Sequence, residues 1–97
     1  MFFLRPRILF IEPQQDIDEI WKKIKESNAE EIALIIPQKA ILFESSISLK
    51  MLQKRAEKMQ KTILLITKDL QGKRFAQNIG MRCEESIELL DQRKKPL

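Results

Sequence analysis

Two short segments of this chain are apolar almost throughout, Ile32-Ala33-Leu34-Ile35-Ile36 and Ile63-Leu64-Leu65-Ile66. A strand with one face in water alternates apolar and polar residues. Unbroken apolar runs of this length therefore indicate strands that are buried on both faces, as in a parallel sheet covered by helices. We expect these two strands to lie side by side and to point the same way.

Helical patterns alternate with the strands along the whole chain. Asp16 followed by Glu19 is typical of a capping box at the start of a first helix, and a preceding strand is predicted from Arg7 to Glu12. Helices are also predicted after Ser45 or Ser46 and after Asp69, with Gly80 as the left-handed terminator of the last one. Met81-Arg82-Cys83 is a candidate fourth strand, and Ser86 a candidate cap for final helical turns through Leu89 and Leu90.

The resulting fold class is α/β. Right-handed crossovers between successive strands predict a three-layer, Rossmann-like or flavodoxin-like sandwich around a small, mainly parallel sheet of three or four strands. Ninety-seven residues form one domain, spanning 1–97, with an N-terminal tail at residues 1–6 and a basic C-terminal tail at residues 93–97.

Several chemistries are excluded by composition. The chain has no histidine, no tyrosine and a single cysteine, Cys83, so Ser-His-Asp and Cys-His arrangements and zinc sites built from Cys and His are ruled out. No internal disulfide can form, which fits a reducing compartment, and no segment has the length of a membrane span. We expect a cytoplasmic protein with no catalytic residue, no metal ligand and no cofactor.

Positive charge is concentrated in the middle of the chain. Residues 38–82 contain ten basic and three acidic side chains, whereas the segments on either side are slightly acidic. The second predicted helix has two opposite stripes. The apolar stripe comprises Leu49, Leu52, Ala56 and Met59, and the basic stripe comprises Lys50, Lys54, Lys58 and Lys61. Such a stripe is either a solvated helix face or a contact surface for nucleic acid, an anionic membrane or an acidic protein. No aromatic residues interleave with the lysines, as binding to single-stranded nucleic acid would require.

A second candidate site follows the third strand. In open parallel sheets ligands bind at the carboxyl ends of strands, and Thr67, Lys68 and Lys73 surround the predicted start of a helix there, where an anion is favoured. The segment lacks the first glycine and the final Ser/Thr of a phosphate-binding P-loop. It therefore predicts at most a small-anion or nucleotide site of irregular type.

Four segments of the chain follow a recognisable pattern: a strand like ALVIPK at residues 32–39, a helix start at residues 46–52, a strand like VLITSD at residues 63–69 and a helix end at residues 76–81. In these segments the chain resembles a small Rossmann-like domain found at the start of uncharacterised proteins of candidate-phylum bacteria. In that family the domain precedes a membrane span. The resemblance implies a bacterial, cytosolic N-terminal part of a membrane-anchored protein, and it brings no catalytic residues.

A weaker likeness is to the sulfate-transporter and anti-sigma-antagonist domain, through the turn Phe43-Glu44-Ser45-Ser46. That domain docks a partner at one helix start under phosphorylation control. Together these observations favour a non-catalytic interaction or regulatory module that docks a protein partner or an anionic surface. We expect its contact surface to comprise basic and hydroxyl side chains of the second helix and the loop before it: Lys39, Ser45, Ser46, Lys50, Lys54 and Lys58. The alternative is the small-anion or nucleotide site at Thr67, Lys68 and Lys73.

Overall fold

A four-stranded, all-parallel sheet forms the centre of the protein. The computed structural model describes residues 6–87. The strands are β1 (Arg7–Phe10), β2 (Glu31–Ile35), β3 (Thr62–Ile66) and β4 (Cys83–Glu84), in the spatial order β1-β2-β3-β4. The predicted α/β class with a small parallel sheet is confirmed.

The two apolar runs of the sequence are the paired central strands. Ile32 lies beside Ile63, and Leu34 lies beside Leu65, in parallel register. Ala33 and Leu34 are fully buried, and residues 63–66 are buried on both faces of β3. The burial of these residues agrees with the unbroken apolar pattern of the two segments.

Three helices connect these strands: α1 (Ile17–Glu26), α2 (Ser46–Lys58) and α3 (Leu70–Asn78). The predicted capping box of α1 is confirmed, because the Asp16 carboxylate accepts from the Glu19 amide and the Glu19 side chain accepts from the Asp16 amide. Ser45 caps α2 and Asp69 caps α3. Gly80, with φ +73°, ends the last helix as predicted.

All three helices pack on the same face of the sheet. Their buried residues form one cluster with the inward residues of β2 and β3, listed here by element: Ile20 and Ile24 of α1, Leu49, Leu52 and Ala56 of α2, Ala76 of α3, and Ile32, Leu34, Ile63 and Leu65 of the sheet. A sequential strand order requires this, because crossovers of one hand then place every helix on one side. Residues 6–87 thus contribute one helical layer and one sheet layer.

The opposite face of the sheet carries a smaller apolar cluster. Ala33, Leu64 and Ile66 are buried there, and Ile87 packs against them. None of residues 6–87 forms a second helical layer on this face, so the third layer predicted from the sequence is not built by the described part of the chain.

Some element boundaries differ from the prediction. The fourth strand is at Cys83–Glu84 rather than at 81–83, and β1 ends at Phe10. Met59, predicted to face inward, is 46% exposed because it is the C-cap of α2. Apart from Pro6, Ser86 and Ile87, the predicted tails and the final helical turns through Leu89 and Leu90 lie outside the described residues. Within residues 6–87 no helix combines the length and the apolar character needed to cross a bilayer.

Candidate functional site

The connection after β2 covers the carboxyl end of the sheet. Ala40, Leu42 and Phe43 are buried, and residues Ile41–Glu44 form a short 3-10 helix. The apolar character of this loop, unusual in the sequence, is explained by its packing into the core between α2 and α3. The buried side chains of the loop therefore extend the core on the helical side of the sheet.

The start of α3 is already bound by a carboxylate of the protein itself. Asp69 Oδ1 accepts from the Gly72 amide at 2.9 Å, and Oδ2 accepts from the Lys39 amide at 2.8 Å. Burial acts to raise the pKa of Asp69, but its hydrogen bonds to the amides of Lys39, Gly72 and Gln71 outweigh burial and hold the pKa below its ordinary value. The partial positive charge at the start of α3, which would favour a bound anion, is therefore already compensated by the Asp69 carboxylate.

The three residues predicted to bind an anion have different environments. Thr67 is buried, and its hydroxyl accepts from the Asp69 amide at 3.1 Å. Lys73 forms an ion pair with Glu85, while the side chain of Lys68 is exposed. Two of the three side chains are therefore engaged by other groups of the protein.

A shallow crevice of about 280 Å³ lies at the carboxyl ends of β2 and β3, next to Pro37, Thr67 and Lys68. In doubly wound sheets the binding crevice opens where neighbouring connections leave toward opposite faces. Here the strands follow in sequence and both connections leave toward the same face, so this sheet has no such divergence between β2 and β3. The crevice is a surface depression between two loops.

The outward face of α2 has a different character. Lys50, Lys54 and Lys58 are exposed, and none of them forms an ion pair within residues 6–87. Ile47 and Met51 lie on the same face, at 64% and 41% exposure. The spacing of these five residues, i, i+3, i+4, i+7 and i+11, places them along one side of the helix. This face is therefore both basic and partly apolar, and its five residues are called the α2 strip below.

The remaining residues of the predicted contact surface lie toward one end of α2. Ser45 accepts from the Ile47 amide at 3.2 Å as the N-cap, and Ser46 is the first helical residue. Lys39, with φ 64°, is held near the start of α3 because its backbone N–H donates a hydrogen bond to the Asp69 carboxylate. From Ser45 to Lys58 the distance along the helix is about 20 Å, so the predicted residues are spread along its length and do not form one pocket.

Sequence reasoning missed the two apolar members of this strip. The helical period alone places Ile47 and Met51 opposite the buried residues Leu49, Leu52 and Ala56, so the signal was present in the sequence. The sequence-based prediction also placed Lys61 in the basic stripe. The Lys61 ammonium instead donates to the carbonyl oxygens of Ser27 and Ala29, at 2.7 and 2.8 Å.

Other reactive side chains have structural contacts. Asp16 caps α1, and Asp18 lies 3.6 Å from Arg55, whose guanidinium stands over the Trp21 ring. Burial raises the pKa of the Cys83 thiol, which makes it a weaker nucleophile near neutral pH. Among residues 6–87, Cys, Asp and Glu side chains form no group of three that could hold a metal ion.

The comparisons with known proteins add no family assignment. No family model matches the sequence, and neither a curated protein nor a solved structure matches it. The resemblance to the Rossmann-like domain of candidate-phylum bacteria therefore stays a prediction.

Proposed function

We propose that this protein is a non-catalytic interaction module that docks an acidic protein partner on the outward face of α2. The observation that carries the proposal is the combination of three exposed lysines with Ile47 and Met51 on one side of a single helix. A purely solvated face does not need exposed large apolar side chains, which add a hydrophobic contribution to binding.

The helix is held firmly enough to present this strip. Leu49, Leu52 and Ala56 are almost completely buried against the sheet, and α2 contacts both α1 and α3. Side chains on its outer face therefore project from a fixed backbone, which lowers the entropic cost of docking.

An acidic protein segment fits the strip better than the other anionic partners. A membrane-binding helix generally carries a broad apolar face with Trp, Phe or Leu, and here that face is directed into the core. Single-stranded nucleic acid is favoured by exposed aromatic platforms, and the strip has none. An amphipathic acidic helix could place apolar residues on Ile47 and Met51 while its carboxylates meet the lysines.

The small-anion alternative has less support. Asp69 already neutralises the start of α3, and Lys73 is paired with Glu85. A phosphate at this position would have to displace a carboxylate that accepts hydrogen bonds from amides of two different connections.

The experiment compares two triple variants of equal charge. Lys50→Glu/Lys54→Glu/Lys58→Glu changes the strip, and Lys22→Glu/Lys25→Glu/Arg74→Glu changes three other exposed basic residues. The probes are a designed acidic amphipathic helical peptide, poly-glutamate, phosphatidylserine vesicles and duplex DNA. We expect salt-sensitive binding of the peptide, stronger than that of poly-glutamate, which is lost in the first variant and largely retained in the second.

Equal losses in the two triple variants would overturn the proposal, because binding would then follow net charge alone. Stronger binding to vesicles or DNA than to the peptide would overturn the choice of a protein partner. Ile47→Ser/Met51→Ser tests the apolar part, since it should weaken peptide binding at constant charge.

A further inference from the structure

Strand β1 forms one edge of the sheet. The amide of Ile11 donates to the Ile35 carbonyl at 2.9 Å, so residues of odd number along this segment direct their backbone groups toward β2. Because these directions alternate, the N–H and C=O groups of Ile8 and Phe10 point away from β2. Residues 6–87 place no strand on that side.

This edge is also apolar and accessible. Phe10 is 69% exposed and Ile8 is 37% exposed, and both side chains lie on the sheet face opposite the helices. A groove of about 350 Å³ runs along the edge, between β1 and the last turns of α1. Lys23 and Glu26 line it. An edge strand with exposed large apolar side chains is a template for pairing with another strand.

Lys23 blocks part of the open hydrogen-bonding edge of β1. Lys23 Nζ donates to the outward carbonyl of Phe10 at 3.0 Å. Edge lysines are a common means of preventing indiscriminate strand pairing. A strand that pairs here must therefore displace this hydrogen bond and offer the Lys23 ammonium group another acceptor.

We infer that the partner at this edge is a second copy of the same chain, joined by antiparallel pairing of the two β1 strands into one eight-stranded sheet. With the twofold axis at Leu9, Ile8 of each copy pairs with Phe10 of the other. The outward N–H and C=O groups of both residues then exchange hydrogen bonds. The exposed side chain of Phe10 packs beside Ile8 of the second copy.

Charges in the groove suit this arrangement. Lys23 lies near the carboxyl end of β1, beside Phe10, and Glu26 lies one helical turn later, toward the strand start. In an antiparallel pair the strand start of one copy meets the strand end of the other. Lys23, released from the Phe10 carbonyl, therefore faces Glu26 of the second copy, and the twofold axis repeats this pair.

The interface is small, because only four residues form β1. We expect a weak dimer, whose population changes over a roughly hundredfold range of protein concentration. This interface is distinct from the α2 strip, so it does not depend on the proposed function.

Sedimentation velocity on the full chain tests the inference with a matched pair of variants. Ile8→Pro removes an outward N–H without removing any donor to β2, and Ile8→Ala removes the same side-chain contact but keeps the N–H. We expect Ile8→Pro to weaken self-association at least about tenfold relative to Ile8→Ala, with similar thermal stability of the monomers. A chain that stays monomeric at the highest concentration, or equal association in both variants, would overturn the inference.

A crosslinking measurement checks the register. In a Cys83→Ser background, Leu9→Cys places two thiols opposite each other on the twofold axis, within the distance a disulfide requires. Arg7→Cys places each thiol opposite Ile11 instead. Oxidation should link the Leu9→Cys chains and leave the Arg7→Cys chains unlinked. The reverse result would exclude this pairing, as would linkage of both variants.

Discussion

The phenyl ring of Phe43 occupies the space that a side chain at position 72 would need. A Cβ built on Gly72 would lie 2.7 Å from the ring Cζ and 2.8 Å from Cε1. Phe43 comes from the connection after β2, and Gly72 from the first turn of α3. The absence of a side chain at Gly72 therefore allows close packing between the two connections.

We predict that Gly72→Ala destabilises the protein by about 1–3 kcal/mol, because the buried ring of Phe43 must shift within a packed core. Alanine is otherwise the better helix former, by about 1 kcal/mol. In a Phe43→Leu background the added methyl group has room, so the same substitution should be neutral or stabilising. Urea denaturation of the four proteins gives this double-mutant cycle, and additive effects would contradict the contact.

Gln60 and Gly80 occupy equivalent positions after α2 and α3. Each has a positive φ, 60° and 73°, and in each case the following amide donates to the carbonyl of Ala56 or Ala76 at 2.8 Å. Glycine adopts this conformation without a steric cost. We predict that Gln60→Gly stabilises by about 0.5–1 kcal/mol and that Gly80→Gln destabilises by a similar amount. Thermal unfolding measures both, and shifts of the same sign would contradict the prediction.

Lowering the pH should reduce the contribution of Asp69 to the stability of the folded protein. Its pKa in the folded protein lies below the ordinary value of 3.8, so the stabilisation is fully present above that pH and is lost as the pH falls through the folded-state pKa. Asp69→Asn retains a helix cap but cannot titrate. We expect the wild-type protein to be the more stable of the two at pH 7, with a difference that shrinks toward pH 3. Chemical denaturation at several pH values measures this, and a constant difference would contradict it.

Lys61 joins the end of α2 to the connection between α1 and β2. Its ammonium group donates to the Ser27 and Ala29 carbonyls, and its side chain is partly buried. Lys61→Met keeps most of the chain length but leaves these two acceptors without their donor, so we expect a loss of about 1–3 kcal/mol. Lys58→Met, at an exposed position, is the control and should change the free energy of unfolding by less than about 0.5 kcal/mol. Equal effects would show that the two carbonyl contacts contribute nothing.

The parts of the fold that could be predicted are those set by local patterns. The paired runs around Leu34 and Leu65, the capping box at Asp16 and the terminator at Gly80 all depend on residues close in sequence. Gln60 adopts the same left-handed conformation without glycine, and the sequence carries no signal for it. The hydrogen bonds from the Gln60 amide to the Glu57 carbonyl and from the Lys61 amide to the Ala56 carbonyl close the end of α2 around it.

The candidate site was less accessible to sequence reasoning, because its properties depend on contacts across long separations. Nothing near Asp69 in the sequence reveals that its carboxylate would bind the Lys39 amide, thirty residues earlier. The side on which each helix packs depends on strand order, which alternation of elements does not determine. The charged face of α2 could be predicted, since it follows from the helical period alone.

The sequential strand order also bears on how the chain reaches its native state. Within residues 6–87, paired residues come from neighbouring strand-helix units and not from units further apart, as in Ile8 with Ala33, Ala33 with Leu64, and Leu65 with Cys83. Each strand pairing therefore closes a loop of moderate length at a small entropic cost. Assembly can start with β2 and β3 and spread outward, as it does in a short repeat array. By this logic the molecule should fold quickly for a parallel-sheet protein, with the outermost strands as the first to open when it is destabilised.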